Sequence, residues 1–101
     1  MKIEEIHVFP LRIPFKESAR ISSWQYPCIE SILVKIKTDN NVVGYGEAVT
    51  DPIFTGETME SIVDAVKNYL APAVLGSNPF ALREIHYKMD KALVRNTSAK
   101  A

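Results

Sequence analysis

The spacing of apolar residues changes once along this chain, and that change constrains the fold more than any other feature. Up to Val49 apolar and polar residues tend to alternate, which is the period of a β-strand. From Met59 the apolar residues recur every three or four positions, which is the period of a helix that packs one face. Strands followed by helices predict the α+β class, with helices covering one face of an antiparallel sheet.

Three segments have the pattern of strands, and together they predict a three-stranded antiparallel meander. The first spans about residues 2–13; Pro10 places it at a sheet edge or a bulge, because proline has no N–H to donate. The second, residues 29–38, alternates cleanly. A turn of Asp and Asn residues follows, and the third strand, residues 42–49, then pairs with the second.

The third strand has two unlike sides. One is bulky, whereas the other is nearly bare because it consists of Gly44, Gly46 and Ala48. A bare strip allows another element to approach closely, and a local twist or bulge explains it equally well.

The helical part of the chain is predicted to contain two helices. Thr58 is the expected N-cap of the first, which Pro72 ends or bends and Gly76 closes. Asn78 as cap, with Pro79 at the first helical position, is expected to begin the second. The apolar stripe of that second helix is Leu82, Ile85, Met89, Ala92 and Leu93.

The composition excludes several classes of function. Twelve basic and twelve acidic residues balance, so no positive charge is left over to attract nucleic acid or a membrane surface. No apolar run approaches the roughly 20 residues that span a bilayer, and Glu4 and Glu5 stand where a signal peptide needs basic residues. The single cysteine, Cys28, excludes an internal disulfide and a zinc-ligand set. These observations predict a cytoplasmic protein.

No group of residues has the pattern of a complete catalytic or metal site. Asp51, Glu57 and Glu60 cluster around a helix start, where capping and dipole roles account for them and metal ligation is the alternative. His86 and Asp90 are spaced for a carboxylate–histidine pair, with no third ligand or nucleophile nearby. We therefore predict no catalytic and no metal-ligating residue in this chain.

Two loops, residues 14–27 and 50–57, are the candidates for binding. The first is long for so small a domain, and it mixes aromatic residues with arginine, which is typical of a binding surface. The residues singled out in the two loops are Phe15, Arg20, Trp24, Tyr26, Ile53, Phe54 and Thr55.

Five segments in order resemble the N-terminal capping domain of the enolase superfamily, in its muconate lactonizing enzyme branch. The resemblance covers essentially the whole chain. The segments are Ile32-Leu33-Val34-Lys35-Ile36, Gly44-Tyr45-Gly46-Glu47-Ala48, Thr55-Gly56-Glu57-Thr58, Leu70-Ala71-Pro72-Ala73-Val74-Leu75-Gly76 and Asn96-Thr97-Ser98-Ala99-Lys100-Ala101.

The resemblance implies a capping domain over residues 1–95, and at residues 96–101 the start of a helix that leads into a (β/α)8 barrel outside this chain. In that family the barrel holds Mg²⁺ and the lysine bases that remove a proton α to a carboxylate. The implied partners are the protein's own barrel and a small carboxylate-bearing substrate, with no Mg²⁺ bound by this chain. The parent enzyme is expected to be a homo-oligomer.

The resemblance also gives the two loops a role, which is to close over the substrate and set specificity. Pro14-Phe15-Lys16 and Arg20 resemble dipeptide epimerases, in which an arginine of this loop meets an acidic side chain of the dipeptide. The segment Ile53-Phe54-Thr55-Gly56 is similar to the second loop of those epimerases and of N-succinylamino acid racemases. No role is implied for Trp24 or Tyr26, and a solvated Arg20 is the alternative.

The expected function is therefore that of a substrate-enclosing cap in a Mg²⁺-dependent racemase, epimerase or cycloisomerase, with a dipeptide epimerase as the first choice. An N-succinylamino acid racemase or a muconate cycloisomerase is the alternative parent. A free-standing small-molecule binding module, or a structural domain at a subunit interface, would use the same residues without catalysis.

Overall fold

A computed structural model describes residues 1–14, 28–50, 52 and 56–101 of the chain. Three strands come first: β1 (Ile3–Pro14), β2 (Cys28–Thr38) and β3 (Val43–Val49). The helical part follows, with α1 (Met59–Asp64), a π-helical segment (Ala65–Leu70), α2 (Ala71–Val74), α3 (Leu82–Ala92) and α4 (Thr97–Lys100). The predicted α+β class, strands before helices, is confirmed.

The strands form one antiparallel sheet in the order β1-β2-β3. Val8 stands opposite Val34, which stands opposite Gly46, so the three strands are in register across the sheet. β1 lies at an edge, as Pro10 predicted. The β2–β3 turn closes with a bond of 2.9 Å from the Thr38 N–H to the Val42 carbonyl.

The core lies between the helices and one face of the sheet. Its buried members come from β2, β3, α1 and the π-helical segment: Ile32, Ala48, Met59, Ile62, Val66 and Leu70. These are the alternating residues of the strands and the stripe of the first helix, so burial follows the two periods in the sequence. The opposite face of the sheet exposes large apolar side chains, among them Phe9, Val43, Tyr45 and Val49.

The first helix begins as predicted. The Thr58 side chain accepts from the Ser61 N–H, and Ser61 Oγ accepts from the Thr58 N–H, which forms a reciprocal capping box. The helical path continues past Pro72 to Val74, so Pro72 does not end it. The π-helical segment ends two residues before this proline, whose missing N–H removes one helical hydrogen bond.

The predicted start of the second helix is wrong. α3 begins at Leu82 with Ala81 at the cap position, three residues later than the Asn78–Pro79 signal indicated. The reason is local, because Asn78 Oδ1 accepts from the Phe80 N–H at 3.0 Å and holds residues 78–81 in a turn.

The predicted stripe of α3 is only partly in the core. Met89 and Leu93 pack against it, whereas Leu82 is 61% exposed.

Candidate functional site

Both candidate loops leave the sheet at the same end. Pro14, the last residue of β1, stands opposite Cys28, the first of β2. Near that end Ser31 of β2 stands opposite Val49, the last residue of β3. Residues 15–27 and 50–57 therefore both join the sheet at this end, which we call the loop end.

Polar contacts tie the three strands together at the loop end. Arg12 Nε donates to Glu30 Oε2 at 3.1 Å, and the two residues are directly opposed on β1 and β2. Thr50, just after β3, donates its N–H to the Glu30 carbonyl at 3.2 Å. This arrangement was not predicted from the sequence. Aligning β1 with β2 would have indicated this pair, because Arg12 and Glu30 carry opposite charges and opposite charges on paired strands attract.

The seven residues singled out for specificity lie outside the described residues. The structure shows only that the strand ends joined to the two loops lie close together. The roles of the seven residues stay predictions. These residues are Phe15, Arg20, Trp24, Tyr26, Ile53, Phe54 and Thr55.

Glu57, at the end of the second loop, is a buried carboxylate with a defined structural contact. Its Oε1 accepts from the Ser98 N–H and its Oε2 from the Ala99 N–H, both at 3.0 Å. The expected capping role is therefore correct in kind, but the capped helix is α4, not the nearby α1. Sequence spacing gave no signal, because the partners are 41 and 42 positions away.

Among residues 1–14, 28–50, 52 and 56–101, no group of three or more His, Cys, Asp or Glu side chains is arranged to hold a metal ion. Two of the three clustered carboxylates lie in that part: Glu57 bonds to backbone amides, and Glu60 is exposed in the first turn of α1. Asp90 of α3 bonds to Lys100 Nζ at 2.9 Å.

An apolar groove of about 380 Å³ lies between the sheet and the helices. Gly44, Gly46 and Val34 line its sheet side, and Met89 and Ala99 line its helix side. A Cβ atom added at either glycine would have no atom within 4 Å apart from those of the glycine and its chain neighbours. Gly44 and Gly46 thus face open space, whereas Ala48 of the same strip is buried in the core, so close packing within the described residues is not what requires glycine at positions 44 and 46.

No helix in the described part of the chain combines the length and the apolar character needed to span a membrane.

Comparison with known proteins decides the family. The family model described as mandelate racemase / muconate lactonizing enzyme, N-terminal domain, matches residues 5–101. The chain belongs to this family. It is therefore related to the N-terminal domains of enolase-superfamily racemases, epimerases and cycloisomerases, and its meander followed by helices is the fold of those domains.

Among the relatives of the chain is the N-succinyl-L-Arg/Lys racemase of Bacillus cereus, which is 41% identical over 101 residues. The match covers the whole chain but 27% of that relative. The crystal structure of the same racemase superposes with a TM-score of 0.94 at 40% identity, again over all of this chain and 27% of that one.

A second similar structure is the dipeptide epimerase of Enterococcus faecalis, complexed with Mg and the dipeptide L-Leu-L-Tyr. Its TM-score is 0.92 at 35% identity, over the whole of this chain and 28% of that one. The chain thus spans little more than a quarter of the length of these relatives.

Proposed function

We propose that this chain is the N-terminal capping domain of a longer racemase, epimerase or cycloisomerase that removes a proton α to a carboxylate. The observation that carries the proposal is the common origin of the two loops at the loop end of the sheet. Two loops that leave one end of a rigid sheet can meet the same substrate. Membership of the family over residues 5–101 supports the same function.

The chemistry belongs, in this proposal, to the part of the protein outside this chain. Residues 96–101 begin the helix that leads into a (β/α)8 barrel, and the barrel holds Mg²⁺ and the base. This division of roles follows from membership of the family, because the family model that matches residues 5–101 is that of an N-terminal domain. The apolar groove beside Gly44 and Gly46 is then a surface that the rest of the protein covers.

The proposed substrate class is an N-acyl α-amino acid. An N-succinyl amino acid and a dipeptide share an acylated α-amino group beside a free carboxylate, and relatives in the comparison act on each. The proton next to that carboxylate is the one removed. Identity is higher to the N-succinyl racemase than to the dipeptide epimerases, so the racemase stands beside the dipeptide epimerase as a candidate parent.

Proton exchange in D₂O tests the proposal directly. The longer protein is incubated with Mg²⁺ and, separately, N-succinyl-L-arginine, L-Ala-L-Glu, L-Leu-L-Tyr and muconate. Loss of the Cα proton signal in NMR is expected with at least one of the acylated amino acids. The 101-residue chain alone is the control and is expected to give no exchange.

Two results contradict the proposal. One is a native protein whose intact mass is 11.3 kDa, the mass of this chain without any barrel. The other is a longer protein that exchanges no α-proton and forms no lactone from muconate. Lactone formation alone identifies the cycloisomerase alternative.

A further inference from the structure

Glu57 is a buried carboxylate between the second loop and the helices, and it is 4% exposed. Burial of an ionised carboxylate costs free energy unless hydrogen bonds compensate for the lost water. Both of its oxygens are used, because the Ser98 and Ala99 N–H groups each donate to it at 3.0 Å. Hydrogen bonds to a charged acceptor are stronger than those between neutral groups.

These two bonds supply the N-terminal cap of α4. The first amides of a helix have no partner within the helix, so acceptors from elsewhere in the fold must satisfy them. Asn96, at the cap position, does not fill the role, because its backbone is left-handed and its Nδ2 donates to the Val94 carbonyl. The cap comes instead from Glu57.

The next residue caps a different helix. Thr58 is the N-cap of α1 and exchanges two hydrogen bonds with Ser61. Consecutive residues therefore hold the N-termini of α1 and α4. Glu57 is the last residue of the second loop, so its carboxylate joins the end of that loop, next to the start of α1, to the backbone of Ser98 and Ala99.

We propose that Glu57 is a positioning residue, which holds the second loop in register with the segment that leads toward the rest of the protein. The inference rests on the proposed function, because the position of this loop matters to catalysis only if the loop meets the substrate. Glu57 touches no substrate in this proposal. It acts through the backbone N–H groups of Ser98 and Ala99.

The test uses Glu57→Gln in the longer protein. The amide has nearly the shape of the carboxylate but one acceptor oxygen fewer, so only one of the two backbone N–H groups keeps its partner. A loosened loop weakens binding of substrate and transition state alike, so we expect KM to rise roughly tenfold with kcat changed less than about threefold. Glu60→Gln, at an exposed carboxylate three residues away, is the matched control and is expected to change neither constant.

Hydrogen exchange supplies a second readout that does not depend on activity. Faster exchange of the Ser98 and Ala99 amides is expected in Glu57→Gln and not in Glu60→Gln. Glu57→Asp keeps the charge but is one methylene shorter, so it is expected to give a smaller rise in KM. If the Glu57→Gln variant does not fold, Glu57→Asp tests the positioning role instead: a rise in KM with little change in kcat supports the role, and no rise in KM contradicts it.

The possible outcomes separate this inference from the proposed function. Faster amide exchange with unchanged KM and kcat overturns the positioning role and leaves a purely structural cap. A fall in kcat equal to that in kcat/KM overturns it as well, since loop register would then affect the chemical step. A wild-type protein inactive toward every substrate overturns the proposed function and this inference together.

Discussion

Arg12 and Glu30 stand directly opposite each other on β1 and β2, and the Arg12 guanidinium donates to the Glu30 carboxylate at 3.1 Å. The Glu30 backbone carbonyl also accepts from Thr50, so this residue of β2 contacts both β1 and the residue that follows β3. The pair is largely in contact with water, because the side chains are 63% and 35% exposed. It marks the place where both loops join the sheet.

We expect this pair to contribute little to global stability. A double-mutant cycle with Arg12→Ala and Glu30→Gln, measured by urea unfolding, should give a coupling energy of about 0.2–1 kcal/mol. The attraction in an exposed ion pair is largely offset by screening from solvent and by the side-chain entropy lost when the pair forms. The cycle isolates this pair from any other contact of Arg12. A coupling energy above about 2 kcal/mol would mean that the pair is desolvated and that the loop end is a closed part of the fold.

The core makes a much larger contribution, and Ile62 tests it. Its side chain is 0% exposed and packs between α1 and the sheet. Ile62→Ala should lower the free energy of unfolding by about 2–5 kcal/mol, because lost burial and the remaining cavity both cost free energy. Ile13→Ala is the matched control; this side chain is 49% exposed, and a loss below about 1 kcal/mol is expected. Equal losses would show that the core is misassigned.

These contrasts show which parts of the structure the sequence could predict. Alternation along β2 and β3 was enough to assign the faces of Ile32 and Ala48, because strand periodicity places side chains without knowledge of distant contacts. The start of α3 was missed because Asn78 forms a turn of its own that competes with helix capping. The Glu57 contact with α4 was missed because no local rule links residues 41 positions apart.

The stability of the fold at acid pH should depend on the contacts of Glu5. Its pKa lies below the usual value of 4.5, first because of the hydrogen bond with His7 and then because of the charge on Lys37. A lowered folded-state pKa stabilises the fold above pH 4.5, and this contribution is lost as the pH falls through the lower folded value.

NMR titration of the Glu5 side-chain carboxyl carbon measures this pKa. We expect His7→Ala to raise it and Lys37→Met to raise it less, in the order of the two causes. An unchanged pKa in His7→Ala would mean that the hydrogen bond of 3.1 Å does not persist in solution.

Arg20 tests the specificity that the family resemblance implies. A guanidinium binds a carboxylate through two parallel hydrogen bonds, so Arg20→Ala in the longer protein should raise KM mainly for substrates with a second, distal carboxylate. N-succinyl-L-arginine and L-Ala-L-Glu carry one, whereas L-Leu-L-Tyr does not and serves as the control substrate. Equal losses with acidic and neutral substrates would leave Arg20 as a solvated loop residue.

Gly46 tests whether the groove is covered in the longer protein. Its backbone is not in the left-handed region and no other atom lies within 4 Å of an added Cβ, so the described residues accommodate alanine. If the groove stayed open, Gly46→Ala would raise the free energy of unfolding by about 0.4–1 kcal/mol, because alanine restricts the unfolded chain. We expect a loss instead, larger for Gly46→Val, since atoms outside the described residues would have to move away from the new side chain. Thermal unfolding of the longer protein measures this, and a gain with both variants would show that the strip is open to solvent.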